Sequence, residues 1–230
     1  LDPKASSHPL WNDIVAALTE ITRTFDNRWQ ERHRIIDTLM LVVVIFRLVL
    51  SKNSQSYSTT LADIWRNRRN LNLILPQPKP IAPSALTEAR KKLDESIFKK
   101  MNCKLIDLYE AENYDFSWQG HRLFAVDGTK VNLPRALSKL GYDTPTCGNY
   151  PQGLVSTLYQ LKSKLPYDFD LVKHANERTC AISHLGLLTA NDVVVYDRGY
   201  LSYSMLYRHR QRGVFTIFRL PESSFTEIRD

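Results

Sequence analysis

The chain has 230 residues, enough for one large domain or two modest ones, and a net charge of +7 from 31 Lys and Arg against 24 Asp and Glu. A basic chain favours a polyanionic partner, of which nucleic acid is the commonest. Its three cysteines are far apart and form no C-x-x-C pair, which argues against a disulfide framework or a zinc site and favours a reducing, cytoplasmic compartment. The most apolar run, residues 39–50, is interrupted by Arg47 and is too short to cross a bilayer, so no membrane partner is expected.

The first part of the chain is predicted to be all-helical, because apolar residues recur at helical spacing and glycine is absent from residue 9 to about residue 114. The predicted helices cover residues 12–25, 31–50, 59–68 and 84–108. The third is expected to begin at a capping Thr59 or Thr60, and the fourth at a capping Ser84. Between them, the proline-rich segment 75–83 forbids regular helix.

From about His121 the pattern changes to strands that alternate with helices. The expected elements are strands at 122–127, 154–165 and 169–173, a helix at 177–188, a strand at 193–196, a helix at 202–212 that ends at Gly213, and a strand at 214–220. Their order predicts an α/β sheet with at least one parallel crossover. We therefore expect two domains, a helical one over residues 1–118 and an α/β one over residues 119–230.

Two of the predicted strands run into an aspartate. Leu123-Phe-Ala-Val precedes Asp127, and Val193-Val-Val-Tyr precedes Asp197, 70 residues later (197 − 127). Each aspartate alone has an ordinary explanation, since Asp127-Gly128 is also a strong hairpin signal and strand-end aspartates are common in α/β proteins. Together, two carboxylates at neighbouring strand ends could share divalent cations. Such oxygen ligands suit Mg²⁺ or Mn²⁺ and metal-assisted cleavage of phosphodiesters.

These residues also resemble a known family. The segments Asp127-Gly-Thr-Lys-Val-Asn-Leu-Pro134 and Val193-Val-Val-Tyr-Asp-Arg-Gly-Tyr200 resemble the first and second acidic motifs of the IS-four family of insertion-sequence transposases. Residues 84–93 resemble the segment that precedes the catalytic domain in that family, and the whole resemblance covers about residues 35–220. The second acidic motif is its most specific part.

The resemblance implies a bacterial cut-and-paste DNA transposase. Its fold class would be α/β, a ribonuclease-H-like mixed sheet preceded by an all-helical N-terminal domain. Asp127 and Asp197 would be the catalytic residues and the metal ligands, with Mg²⁺ or Mn²⁺ as the cofactor. The partner would be double-stranded DNA, both element ends and target, on which the protein could act as a homodimer.

The third acid of the family is missing from this sequence. The family places a Glu in a Tyr-x2-Arg-x3-Glu-x6-Lys signature on a later helix; Tyr207 and Arg210 have the first spacing, but Val214 stands at the Glu position. The resemblance thus implies a fragment that ends before the third acid, with weak metal binding and little or no strand cleavage by itself. The alternative is a catalytically inactive DNA-binding remnant or an inhibitor of transposition.

Basic and aromatic residues near the two acidic motifs are the candidate DNA contacts, because they can follow a phosphate backbone. The set consists of Lys130, Lys139, Arg198, Tyr200, Arg208, Arg210 and Arg212. A second basic cluster lies at residues 65–69. A solvated helix face explains such clusters nearly as well, so their role as DNA contacts depends on the metal site.

Two further enzyme classes compete with a transposase. A phosphatase of the haloacid-dehalogenase type would carry its nucleophilic Asp two positions before Asp127, where this chain has Ala125. A stand-alone nuclease would need its remaining acids among Asp168, Asp170 and Asp192. His174 and His184 have no partners at metal-ligand spacing in the sequence and are expected to be ordinary histidines.

Overall fold

The computed structural model describes residues 9–29, 36–51, 56–68, 75, 77–112, 117–173 and 176–221. The chain divides into two compact units, with the boundary after Leu108. Residues 31–35 of the second predicted helix, Arg69 and His174 lie outside the described residues. No helix in the described ranges is long and apolar enough to span a membrane.

Five helices occupy the described part of the chain before the sheet. They are α1 Pro9–Trp29, α2 Thr38–Leu50, α3 Tyr57–Arg66, α4 Pro83–Arg90 and α5 Ser96–Glu112. The apolar run is a core helix as predicted, since α2 buries Met40, Leu41 and Val44 among residues of α3 and α4. A separate cluster joins Phe25 of α1 to Ile97 and other residues of α5.

Three helix starts differ from the prediction. Helix α2 begins at Thr38 rather than at Glu31, because the side chain of Asp37 caps it by accepting from the N–H of Met40 at 2.8 Å. The side chain of Ser56, rather than Thr59 or Thr60, caps α3 by accepting a hydrogen bond from the backbone N–H of Thr59. The single helix predicted over residues 84–108 is two helices, because the Asp94 carboxylate accepts from the backbone N–H of Ser96 at 2.9 Å and so starts a new helix. Competing side-chain caps of this kind are not visible in the apolar spacing alone.

The second unit contains the sheet. Its strands are β1 Ser117–Trp118, β2 His121–Asn132, β3 Gln152–Gln160, β4 Leu165–Val172, β5 Val193–Tyr196 and β6 Phe215–Phe218, and its helices are α6 Glu177–His184 and α7 Tyr203–Arg212. As predicted, α7 begins after Ser202, whose side chain accepts from the N–H of Met205, and ends at Gly213, which has a φ of 68°.

The strand order is β4-β3-β2-β5-β6, with β1 paired to β2 off this path. Strands β2, β3 and β4 form an antiparallel meander, whereas β5 and β6 run parallel to β2. Helices α6 and α7 are the crossovers, and Ala181 and Met205 from them pack with Phe124 and Val194 on one face of the sheet. This is a ribonuclease-H-like mixed sheet, and the predicted fold class is confirmed.

Strand β2 is longer than the sequence predicted. It continues through Asp127 and Gly128, which pair with Thr157 and Ser156 of β3, so the hairpin turn considered at Asp127-Gly128 is wrong. The strand predicted over residues 169–173 also begins earlier, at Leu165, so Pro166 lies within it. It sits in β4, next to a register shift, and β4 is an edge strand of this sheet, where the missing N–H of a proline is tolerated.

Candidate functional site

Asp127 and Asp197 occupy equivalent positions on neighbouring parallel strands. The last paired residues of β2 and β5 are Ala125 and Val195, and each aspartate lies two residues further along its strand direction. The backbone of Asp197 is still extended, with φ −73° and ψ 163°. Because side chains alternate along extended backbone, both aspartates project from the face that carries Ala125 and Val195, opposite the buried Phe124.

Both carboxylates are exposed and are oriented by the backbone. Oδ1 of Asp127 accepts from the N–H of Gly128 at 2.8 Å, and Oδ1 of Asp197 accepts from the N–H of Arg198 at 2.8 Å. Asp197 also forms an ion pair with Nε of Arg219, which follows β6, at 2.8 Å. The side chains of this pair are 51% and 73% exposed, so the ion pair is weakly held and a stronger cation could replace it.

Tyr200, three residues after Asp197, is buried. Its side chain is only 2% exposed and packs in the core, 5.4 Å from the ring of Tyr196. Its hydroxyl has no hydrogen-bond partner among the described residues. Burial raises the pKa of Tyr200, and the negative charges of Glu177, Asp127 and Asp197 raise it further, so the phenol stays protonated. This burial argues against the direct DNA contact that the sequence suggested for Tyr200.

The other predicted DNA-contacting residues are exposed. Lys130 is on β2, Lys139 is in a short 3-10 helix, and Arg198 follows Asp197 directly. Arg208, Arg210 and Arg212 are exposed on α7, whose buried side is formed by Met205 and His209. Lys130 also lines a shallow cavity with Lys173.

Helix α7 presents two aromatic residues that sequence reasoning missed. Tyr203 and Tyr207 are 93% and 62% exposed. The sequence held a signal for this surface. Tyr203 and Tyr207 are four residues apart and so share a helix face, and each is two residues away from the apolar-face positions Met205 and His209. Exposed aromatics interleaved with arginines are typical of a surface that contacts nucleic acid.

A second acidic group surrounds a buried histidine. The sequence offered Asp168 and Asp170 as acids of a stand-alone nuclease, but it did not predict that His184 lies beside them. Ligand atoms of Asp168, Asp170 and His184 lie within 4.8 Å of one another, a spacing that could hold a metal ion. His184 is fully buried, and its two ring nitrogens already contact Asp168 at 2.8 Å and Ser156 at 3.0 Å. A metal ion would have to displace one of these hydrogen bonds, whereas the carboxylates of Asp127 and Asp197 are open to solvent.

Asp192, another acid considered for a nuclease, is at the opposite end of β5. It is 2% exposed and accepts two hydrogen bonds from the guanidinium of Arg122, at 2.8 and 2.7 Å. Both oxygens of its carboxylate therefore take part in a structural ion pair with Arg122. Asp192 does not belong to the group around Asp127.

Comparison with known proteins gives a family match for the second unit. Residues 118–229, slightly less than half of the chain, match the model of the transposase DDE domain, which supports a DDE transposase. No curated protein matches the chain significantly. The solved structures that match include one described as "Crystal structure of a pre-cleavage Mos1 transpososome", at 7% identity over 88% of this chain and 77% of that chain, with a TM-score of 0.28.

Proposed function

We propose that this chain, whose residues 118–229 match the transposase DDE domain, is part of a DNA transposase that cuts and joins double-stranded DNA by metal-assisted chemistry at phosphodiesters. Asp127 and Asp197 hold the divalent cations. The observation that carries the proposal is their equivalent placement on the parallel strands β2 and β5, on one open face of a ribonuclease-H-like sheet.

The residues present fit Mg²⁺ or Mn²⁺. Both cations prefer hard oxygen ligands and keep open coordination positions for water and phosphate, which two exposed carboxylates on one sheet face allow. When bound, such cations activate the attacking oxygen and stabilise the leaving oxygen at phosphorus. The protein's part is to hold Asp127 and Asp197 in register through backbone hydrogen bonds, and to release Asp197 from Arg219.

The basic residues around the site are proposed to hold DNA. Lys130 and Arg198 flank the two aspartates in the sequence and are exposed, and α7 adds an exposed surface of arginines and tyrosines. Lysine and arginine bind the phosphate backbone without reading sequence, whereas exposed tyrosines can stack on bases. We propose a homodimer on DNA as the working form.

We expect this polypeptide to bind metal weakly and to cleave DNA little or not at all. The 230 residues hold no match to the Tyr, Arg, Glu and Lys signature that would supply the third acid of the IS-four family. A catalytically inactive DNA-binding remnant or an inhibitor of transposition is the alternative that this missing residue favours. The transposase and the inactive remnant would use the same metal ligands and the same DNA-binding surface.

Iron-directed cleavage of the polypeptide tests the metal site. Fe²⁺ occupies oxygen-ligand sites in place of Mg²⁺ and, with ascorbate and peroxide, generates radicals that cut the nearby backbone. We expect cuts close to residues 127 and 197, suppressed by excess Mg²⁺, when the fragments are mapped by mass spectrometry. Asp127→Asn and Asp197→Asn should each remove most of the cleavage, because each deletes one carboxylate ligand.

Asp170→Asn is the matched control, since it removes one charge from the second acidic group and leaves Asp127 intact. It should leave the cuts near residues 127 and 197 unchanged. Cleavage confined to residues 168–184 and abolished by this control would place the metal in the second group instead. The proposal that Asp127 and Asp197 hold the metal would then be wrong.

A further inference from the structure

The exposed side of helix α7 carries an unusual amount of apolar surface for a short helix. Tyr203, Leu206 and Tyr207 are 93%, 42% and 62% exposed. Their spacings of three and four residues make them neighbours on one face, and only Met205 and His209 are buried on the other. An exposed patch of neighbouring large apolar side chains is typical of a surface that binds a partner.

The same helix is strongly basic. It contains three arginines and no acidic residue, and no carboxylate among the described residues pairs with any of them. Arg210 comes three residues after Tyr207 and so shares its face, whereas Arg208 and Arg212, one turn apart, follow one edge of that face. The charge of this surface therefore fits a polyanion.

The aromatic residues decide which form of nucleic acid fits this surface. Side chains that read base edges in a duplex are chiefly Arg, Lys, Asn and Gln, whereas a tyrosine ring binds a base through its flat face. In a duplex those faces are covered by the neighbouring base pairs, and exposing one requires unstacking. In a single strand the faces are open. Two exposed rings beside arginines therefore favour an unpaired strand.

The ring of Tyr207 is restrained before anything binds. Its hydroxyl accepts a hydrogen bond from Nε2 of Gln211, one turn further along α7, at 2.6 Å. Tyr203 and Tyr207 are about 6 Å apart along the helix axis, because each residue of a helix adds about 1.5 Å. One strand can thus pass over both rings.

The direction of α7 places Tyr203 near one end of the sheet. Helix α7 joins the parallel strands β5 and β6, so it runs back against them. Its last turn lies at the Asp192 end, where the carbonyl of Gly213 accepts from the N–H of Asn191 at 2.9 Å. Tyr203, at the first turn, is therefore at the end where β5 runs into Asp197.

We propose that the exposed face of α7 binds an unpaired segment of a DNA strand, with Tyr203 and Tyr207 stacking on bases and Arg208 and Arg210 binding phosphates. The inference rests on the proposed function, because it names the form of DNA that this surface takes. A second copy of the chain or an apolar protein partner would bury Leu206 as well as the rings. Leu206 therefore supplies the control.

Fluorescence anisotropy with the 230-residue chain tests the inference. The probes are a labelled oligothymidylate of about 16 nucleotides, which cannot pair with itself, and the same strand annealed to its complement. We expect Tyr203→Ala/Tyr207→Ala to raise the Kd for the single strand at least about 25-fold, or about fivefold for each lost stacking contact. The Kd for the duplex should change less than about threefold.

Two further variants separate stacking from other roles of these side chains. Tyr203→Phe/Tyr207→Phe keeps both rings and should bind the single strand within about threefold of the unaltered chain. A loss as large as in the alanine variant would mean that the hydroxyls matter and the rings do not. Leu206→Ala removes exposed apolar surface from the same face and should change the Kd less than about twofold. A loss comparable to that of the tyrosine variant would indicate a general apolar contact and overturn the inference.

The outcomes also separate this inference from the proposed function. If the chain binds the duplex but the alanine variant binds oligothymidylate within about threefold of the unaltered chain, only the inference fails. If the unaltered chain binds neither probe, DNA binding fails and the inference fails with it. Sedimentation equilibrium covers the remaining occupant: a dimer that the alanine variant dissociates, with unchanged affinity for the single strand, would make α7 a protein interface instead. All the substituted residues are exposed, and circular dichroism checks that each variant is folded.

Discussion

Strands β2 and β5 carry two pairs of charged residues with the same separation in sequence, one at each end of their contact. At the first end, Arg122 and Asp192 are 70 residues apart and form a two-bond ion pair in which the Asp192 side chain is 3% exposed. At the other end, Asp127 and Asp197 hold equivalent positions, but both are acidic and exposed. One end of this strand pair therefore holds a buried ion pair, and we call it the closed end. The other end holds two exposed acids, and we call it the open end.

The difference shows how a structural carboxylate is told from a candidate ligand. Asp192 is buried, and a buried charge is stable only with a partner, which Arg122 supplies through two hydrogen bonds while stacking on Phe124 and Tyr167. Asp127 and Asp197 gain no stability from each other, since like charges repel. Exposed acids at equivalent positions on neighbouring strands are better explained by a ligand than by folding.

The largest expected effect is a loss of stability at the closed end, where Arg122 and Asp192 form the buried ion pair. Asp192→Asn should lower the free energy of unfolding by about 3 to 5 kcal/mol, because it leaves the Arg122 guanidinium partly buried without its counter-charge. Equilibrium denaturation in urea measures this change. The matched control is Asp127→Asn, which should alter the free energy of unfolding by less than about 0.5 kcal/mol, as expected for an exposed site. Equal losses in the two variants would break the distinction between the two ends.

DNA binding should depend on the basic side chains that flank the two exposed aspartates. The double variant Lys130→Ala/Arg198→Ala should weaken binding to a random-sequence duplex and reduce the slope of log affinity against log salt by about 2, roughly 1 for each lost phosphate contact. Fluorescence anisotropy at several salt concentrations measures both quantities. The control is Lys162→Ala/Lys164→Ala, in the turn after β3, which lies at the Arg122 end because Leu161 bonds to Leu123. If the control weakens binding as much, DNA is not held at the aspartate end.

The smallest effect concerns His209 and Tyr196, a buried pair in the second unit. His209 is 1% exposed; its Nδ1 lies 2.7 Å from the carbonyl of Met205 and its Nε2 lies 2.8 Å from the hydroxyl of Tyr196. The carbonyl can only accept, so Nδ1 donates to it, and in the neutral ring Nε2 accepts from the hydroxyl of Tyr196. Burial lowers the pKa of His209 from its ordinary 6.5.

Below pH 6.5 the unfolded chain therefore binds a proton that the folded chain does not, and stability should fall as the pH drops. The slope from this one group is at most about 1.4 kcal/mol per pH unit. His209→Gln removes the group, so its unfolding free energy should vary less between pH 7 and pH 5 than that of the unaltered chain. Denaturation curves with the same pH dependence in both proteins would contradict the burial argument.

Much of the second unit could be predicted from the sequence, because its signals are short-range. The cap Ser202, the terminator Gly213 and the apolar run Val193–Tyr196 each act within a few residues, and the structure places α7 and β5 accordingly. The alternation of strands and helices predicted an α/β sheet with a parallel crossover, and the family resemblance implied that the sheet is mixed. The two aspartates could be chosen because each follows an apolar strand, a pattern that is also local.

Other features could not be predicted, because they depend on residues far apart in the sequence. Pairing with β3 carries β2 through Asp127-Gly128, where the local pattern favoured a turn. Burial of His184 between Ser156 and Asp168 likewise depends on how α6 packs on the sheet.

By itself, the sequence determined which segments are helix or strand and which acids end an apolar strand, since caps, glycines and side-chain periodicity act over one or two turns of chain. The tertiary structure alone decided that Asp192 is neutralised by Arg122 while Asp127 stays open, that Tyr200 is buried, and that Glu177 packs against Gly128. The physical reason is that burial and charge pairing depend on strand register and crossover packing, which bring together residues separated by dozens of positions.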